Sequence, residues 1–156
     1  MDALFKKLNF KGHTHSCVLH APAEFAEGQA WLAANSQLRA NPDGPAPLDF
    51  AMAFVMTQAA LDAASAQLAN HLASDGILWL CYPKGSSKRY RCEFNRDAGW
   101  TVLGQLGFEP VRQVAIDNDW SALRFRRVQH IKTLTRSKEM ALTNEGKERT
   151  RAETRK

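Results

Sequence analysis

The sequence predicts an α/β fold: a Rossmann-like three-layer sandwich around a mostly parallel five-stranded sheet whose last strand runs antiparallel. Three observations carry this expectation. Strand-like and helix-like patterns alternate from Ser16 to Leu106, which favours crossover connections and a parallel sheet covered on both faces. The run Gly76-Ile-Leu-Trp-Leu-Cys-Tyr82 is short and apolar throughout, as a strand buried on both sides must be. Finally, only Asp117-Asn118-Asp119 separates the last two strand patterns, too short a link for a crossover, so those strands must be antiparallel.

The elements follow in order. Ser16 to Ala21 reads as a short strand stopped by Pro22, and that proline suits the first turn of a helix over Ala23 to Ala34, with Glu24 and Glu27 near its positive end. Asn35 to Pro47 contains three prolines and a glycine and reads as a surface connection. Leu48 to Val55 is the second strand. Thr57 can cap the next helix, in which Leu61, Ala64, Leu68 and Leu72 fall on one face of a 3.6-residue period before Asp75-Gly76 ends it. After the Trp79 strand and a polar loop from Pro83, Asn95 or Asp97 can cap a helix from Asp97 to Leu106 that Gly107 terminates. Val111 to Ile116 is rich in β-branched residues, and Ser121 to Val128 puts Leu123 and Phe125 on one face and Arg124 and Arg126 on the other.

With 156 residues the chain is expected to form one domain, residues 1 to 136, followed by a basic polar tail, residues 137 to 156, that is disordered or marginally helical. The net charge of +5 suggests nucleic acid until it is divided: residues 1 to 128 hold 13 Lys and Arg against 12 Asp and Glu, and the remainder hold 8 against 4. Most of the basicity is tail, so nucleic acid is not the expected partner, beyond weak attraction of phosphates to that tail. Neither a signal-peptide core nor an apolar run of about 20 residues occurs, which predicts a cytoplasmic protein without a membrane partner. Three cysteines, Cys17, Cys81 and Cys92, without a CxxC spacing argue against a disulfide frame and a zinc ribbon. His13, His15 and Cys17 would share one strand face, yet no fourth ligand follows, so no metal is assigned.

Ligands of an open parallel sheet bind beyond the carboxyl ends of its strands. Two loops there stand out. Lys84, Ser86, Ser87 and Lys88, with Arg96 close behind, offer cations, hydroxyls and amides suited to phosphate or carboxylate. Asp117, Asp119 and Trp120 should lie on the same rim, the acids as a turn and the indole as a core lid or a stacking platform. These eight residues form the predicted ligand site. No nucleophile with its base, Walker spacing or glycine-rich turn is present, so no catalytic residue and no cofactor is assigned.

Tyr82-Pro-Lys-x-Ser-Ser-Lys88, Asn95-Arg-Asp97 with Trp100, and Val111-Arg-Gln-Val-Ala-Ile-Asp117 with Asp119-Trp-Ser-Ala-Leu-Arg124 resemble an uncharacterised family of short bacterial proteins over roughly residues 5 to 135. That resemblance implies no activity. The order of elements is similar to the second half of a Rossmann-like methyltransferase, which implies a spatial strand order 1-2-3-5-4. Such enzymes carry a glycine-rich turn after the first strand and an acid for the ribose at the end of the second. Here His20-Ala-Pro-Ala23 occupies the turn, and no second strand ending in an acid is evident. The expected function is a non-catalytic binding module for an anionic small molecule or nucleotide. The alternatives are a degenerate S-adenosylmethionine-dependent methyltransferase-like enzyme and a weak nucleic-acid binder acting through the tail.

Overall fold

A computed structural model describes residues 1–131. One sheet organises them, in the order β2-β1-β3-β4-β6-β5. Its strands are β1 (His15–Leu19), β2 (Gln37–Arg39), β3 (Leu48–Phe54), β4 (Leu72–Pro83), β5 (Phe108–Ala115) and β6 (Trp120–Arg127). The first four run parallel, and β6 lies antiparallel between β4 and β5. The fold is therefore a mixed α/β, Rossmann-like sandwich, with the predicted 1-2-3-5-4 arrangement intact. It gains one strand that the sequence concealed.

That strand, β2, falls inside the segment expected to be a bare surface connection. It pairs with β1 over three residues only, His15 with Gln37 through Cys17 with Arg39, and edge pairing needs no long apolar run. Its last residue, Arg39, donates from Nη2 to the Ala46 carbonyl at 2.6 Å, while Nε and Nη1 are buried without a hydrogen-bond partner. The guanidinium lies over Gly44, where a β-carbon would stand 2.0 Å from Nη1. The 41–47 connection is thus fastened to the sheet by one side chain and a missing one.

Among the described residues, four α-helices flank the sheet. On one face lie α1 (Asp2–Lys7) and α2 (Ala26–Asn35), a 3₁₀ turn over Ala23–Phe25 leading into α2. Phe5, Leu8, Phe25 and Leu32 pack there against Val18, Phe50, Met52, Ile77 and Trp79. Trp79 is fully buried because its Nε1 donates to the Leu8 carbonyl at 2.9 Å, which satisfies the indole's one polar group. No local pattern announces α1, a six-residue helix that depends on this packing.

On the opposite face lie α3 (Gln58–His71) and α4 (Thr101–Gln105). Thr57 caps α3 as expected, its side chain accepting from the Ala60 amide at 3.1 Å. Leu61, Ala64 and Leu68 face the sheet, and each leucine buried in this way contributes about 1.5–3 kcal/mol. The exit differs from expectation: α3 stops at His71 and β4 begins at Leu72 at once. Asp75-Gly76 instead sits in a bulge, where pairing jumps from Leu48–Leu72 to Phe50–Ile77. A β-carbon on Gly76 would meet the Leu48 carbonyl at 3.0 Å. Helix α4 also starts four residues later than predicted. Asn95 Oδ1 accepts from the Asp97 amide at 2.8 Å and Gly99 takes φ of 105°, so the capping residues are spent on a turn. Among the described residues, no helix is long and apolar enough to cross a membrane. The tail expected over residues 137–156 lies outside the described residues.

Candidate functional site

The carboxyl edge is built where β1, β3 and β4 stop. After Leu19 the chain turns on His20, at φ of 58°, a left-handed conformation that glycine takes more readily. Pro22 then opens the 3₁₀ turn that carries Glu24. Beyond β3, Val55 to Thr57 lead into α3, and beyond β4 an irregular segment runs from Lys84 to Trp100. The β5–β6 hairpin closes with Asp117 Oδ1 accepting from the amides of Asp119 and Trp120, both at 2.8 Å.

Those segments are stitched together. The Lys84 amide donates to the Asp119 carbonyl at 2.8 Å, and Ser87 Oγ donates to Asp119 Oδ1 at 2.8 Å. The predicted meeting of the cationic and acidic bends on one rim is therefore a direct contact. Ser87 Oγ also accepts from the amides of Arg89 and Tyr90, both at 3.2 Å, which turns the chain back across β1. There Glu24 is the anchor. Its Oε1 accepts from Tyr90 Oη at 2.5 Å and from Trp120 Nε1 at 3.0 Å, and Arg89 lies 3.3 Å from Oε2. The Tyr90 bond, helped by Trp120 and Arg89 and opposed by burial, holds the Glu24 carboxyl below its usual range and raises the Tyr90 phenol.

Two hollows flank this stitched loop. One is an apolar slot of about 310 Å³ lined by His20, Pro22, Phe54, Val55, Met56, Thr57, Ala60, Tyr90 and Trp120. It sits between the ends of β1 and β3. From β1 the chain goes to β2 on one side and then to β3 on the other, so the slot marks the sheet's switch point, where open α/β sheets bind their ligands. The other is a polar cleft of about 730 Å³ beyond β4, with Lys84, Arg91 and Arg96 on its rim and Tyr82, Gln113 and Ser121 among its lining.

The predicted residues divide between these features. Lys84, Ser87 and Arg96 line the cleft. Ser86 and Lys88 are exposed beside it and line neither hollow. Asp117 shapes the hairpin turn, and Asp119 clasps Ser87. Trp120 is buried, 2% exposed, and forms a wall of the slot, its ring edge-on to Phe54 at 5.1 Å. It is a lid on the core and at the same time a wall of the slot. His13 precedes β1 and packs against Phe10 and Phe50, so it leaves the face shared by His15 and Cys17. No group of metal-binding side chains assembles among the described residues. Burial pushes the Cys17 thiol up to about 11 and raises Cys92, which disfavours a thiolate nucleophile at either.

Sequence reasoning missed Glu24, Tyr90, Tyr82 and Gln113, while Ser121 was expected on the rim without a role. Glu24 looked like an ordinary helix-start acid, and its role depends on Tyr90 and Trp120, 66 and 96 positions away. Gln113 and Ser121 meet only because β5 and β6 pair.

No protein-family model and no curated protein matches the chain. Solved structures do. An N-methyltransferase NodS from Bradyrhizobium japonicum WM9 aligns with a TM-score of 0.56 at 14% identity, covering 81% of this chain and 93% of that one. A SAM-dependent methyltransferase from Aquifex aeolicus aligns at 0.54 and 13% over 81% and 89%. A putative type 11 methyltransferase from Sulfolobus solfataricus aligns at 0.53 and 8% over 86% and 93%. At these identities the likeness is one of fold: the chain has a methyltransferase-like Rossmann architecture.

Proposed function

We propose that this chain is a methyltransferase-like protein in degenerate form that binds a small molecule at the carboxyl edge, with S-adenosylmethionine as the first ligand to test. The observation that carries this reading is the slot at the switch point between β1 and β3, in a sheet whose reversed β6 matches the methyltransferase arrangement. Its aromatic and thioether walls suit a flat or sulfonium-bearing group.

The residues do not fit that cofactor as glycine-turn enzymes hold it. His20 keeps a left-handed bend after β1 but adds a side chain there, and β2 ends in Arg39 where a ribose would need an acid. Losing one charge-assisted contact to the ribose lowers affinity about 10- to 100-fold. Weak binding is therefore expected. Calorimetric titration of S-adenosylmethionine and S-adenosylhomocysteine into native protein and a Met56→Asp variant tests the reading. Saturable binding lost in the variant supports it, and no heat with either compound at millimolar concentration rejects it.

A second reading is favoured by the cationic rim. Lys84, Arg91 and Arg96 face one cleft with Glu93 as the opposing charge, and the Glu93 carboxylate already accepts from the Gln58 amide at 3.2 Å. Such a cleft suits an anionic small molecule or nucleotide, held with or without catalysis. Phosphate-bearing metabolites titrated against a Lys84→Ala, Arg96→Ala double variant distinguish this reading, since equal weak binding by both proteins rules it out.

A further inference from the structure

The floor of the polar cleft contains a hydrogen-bond arrangement that the rim cations do not explain. Tyr82 and Ser121 are each only 4% exposed, yet both line the cleft. Gln113 Nε2 donates to Tyr82 Oη at 3.1 Å and to Ser121 Oγ at 2.9 Å, so both protons of that amide are spent on the two hydroxyls. A phenol oxygen that accepts from Gln113 still has its own proton to donate to another group, and the cleft supplies the space for one.

The ring that carries this hydroxyl is fixed. Tyr82 packs edge-on to Trp100 at 5.4 Å and against Phe94 at 5.9 Å, and it belongs to β4 rather than to the loop. A donor on a strand, held by aromatic packing and a second layer of hydrogen bonds, is preorganised as a binding group should be. Burial raises the phenol's pKa, which keeps it a donor through neutral pH.

We infer that the cleft beyond β4 is a site for a small oxyanion, a carboxylate or a phosphate group, read from below by the Tyr82 hydroxyl and neutralised from the rim by Lys84, Arg91 and Arg96. This rests on the reading of the cleft as the place of an anionic ligand and adds the residue that recognises it. Flat ligands without an anionic group are left to the slot, whose lining includes no lysine or arginine. A ligand spanning both hollows would pass the Tyr90 side chain, which lines each of them.

The test uses the full chain, isotope-labelled, with inorganic phosphate and succinate titrated at constant ionic strength and chloride as the control. Saturable shifts of the Gln113 side-chain amide with phosphate or succinate, absent with chloride, are expected, and whichever anion saturates first identifies the group. Tyr82→Phe should weaken that binding about tenfold, the scale of one hydrogen bond to a charged group. Arg96→Gln, at an exposed position, should weaken it without touching the core, and Lys88→Ala, outside the cleft, should leave it unchanged. Binding by a folded Tyr82→Phe protein equal to that of native overturns the inference and leaves the anionic-ligand reading standing. Failure of both anions to saturate the native protein ends both.

Discussion

The slot and the cleft share a wall, the segment from Lys84 to Trp100, but differ in what holds that wall in place. On the slot side it is closed by three groups converging on one carboxylate: Tyr90, Trp120 and Arg89 on Glu24. On the cleft side the rim side chains Lys84, Arg91 and Arg96 form no ion pair among the described residues. A hollow whose polar groups already satisfy one another selects by shape and apolar contact, whereas one with unspent cations selects by charge. One loop thus separates two kinds of recognition a few residues apart.

The largest expected effect breaks the slot. Trp120→Ala removes a buried wall and the Glu24 contact together, and a buried tryptophan truncated to alanine costs about 3–5 kcal/mol. Denaturant unfolding should show it as a lower midpoint. Next comes the clasp common to both hollows. Asp119→Ala frees Ser87 and should cost about 1.5–3 kcal/mol as a lost hydrogen bond to a charged group. Hydrogen exchange at the Lys84 and Tyr90 amides should quicken in that variant, while the β3–β4 amides stay protected. Unchanged exchange at Tyr90 would mean that the two sides are not mechanically joined.

The pH dependence is more local. Glu24 has a folded pKa below its unfolded one, so its contribution to stability is full above the ordinary glutamate range and is lost as pH falls through the lowered folded value. Its carboxyl carbon, followed by NMR, should titrate below the usual glutamate midpoint. Tyr90→Phe should move that midpoint upward and leave the cleft resonances in place. The smallest effect belongs to Met56→Gln: this residue is 40% exposed, and its replacement should shift stability by no more than about 0.5 kcal/mol. Binding of an apolar probe in the slot should weaken all the same, which would separate ligand contact from structural support.

Legibility in the sequence followed the range of the interactions. Local pattern was sufficient for β3, α3 and the buried β4, and Pro110 is tolerated in β5 because that strand lies at the edge of the sheet. The antiparallel direction of the last two strands followed from a three-residue link, and their place in the sheet from the resemblance to a methyltransferase. What stayed hidden was short or distant. Three residues of Gln-Leu-Arg ahead of a proline-rich run give no periodic signal, so β2 became visible only through its pairing with β1. The loops carrying the site could be named, since strand ends are readable. Which loop residues turn inward could not, because Ser87 and Lys88 both offer an anion a donor until the fold shows Asp119 claiming the serine.

The insertion of β6 between β4 and β5 has a consequence for synthesis on the ribosome. Until residues 120–127 have emerged, the flank of β4 bearing Leu78, Leu80 and Tyr82 has no neighbour, and β5 has nothing to pair with. A nascent chain stopped short of Trp120 would hold a ready-made template for the edge of another copy. Completion of this domain is therefore a late event, and the stretch that completes it is also the one that brings Trp120 to the slot and Ser121 to the cleft.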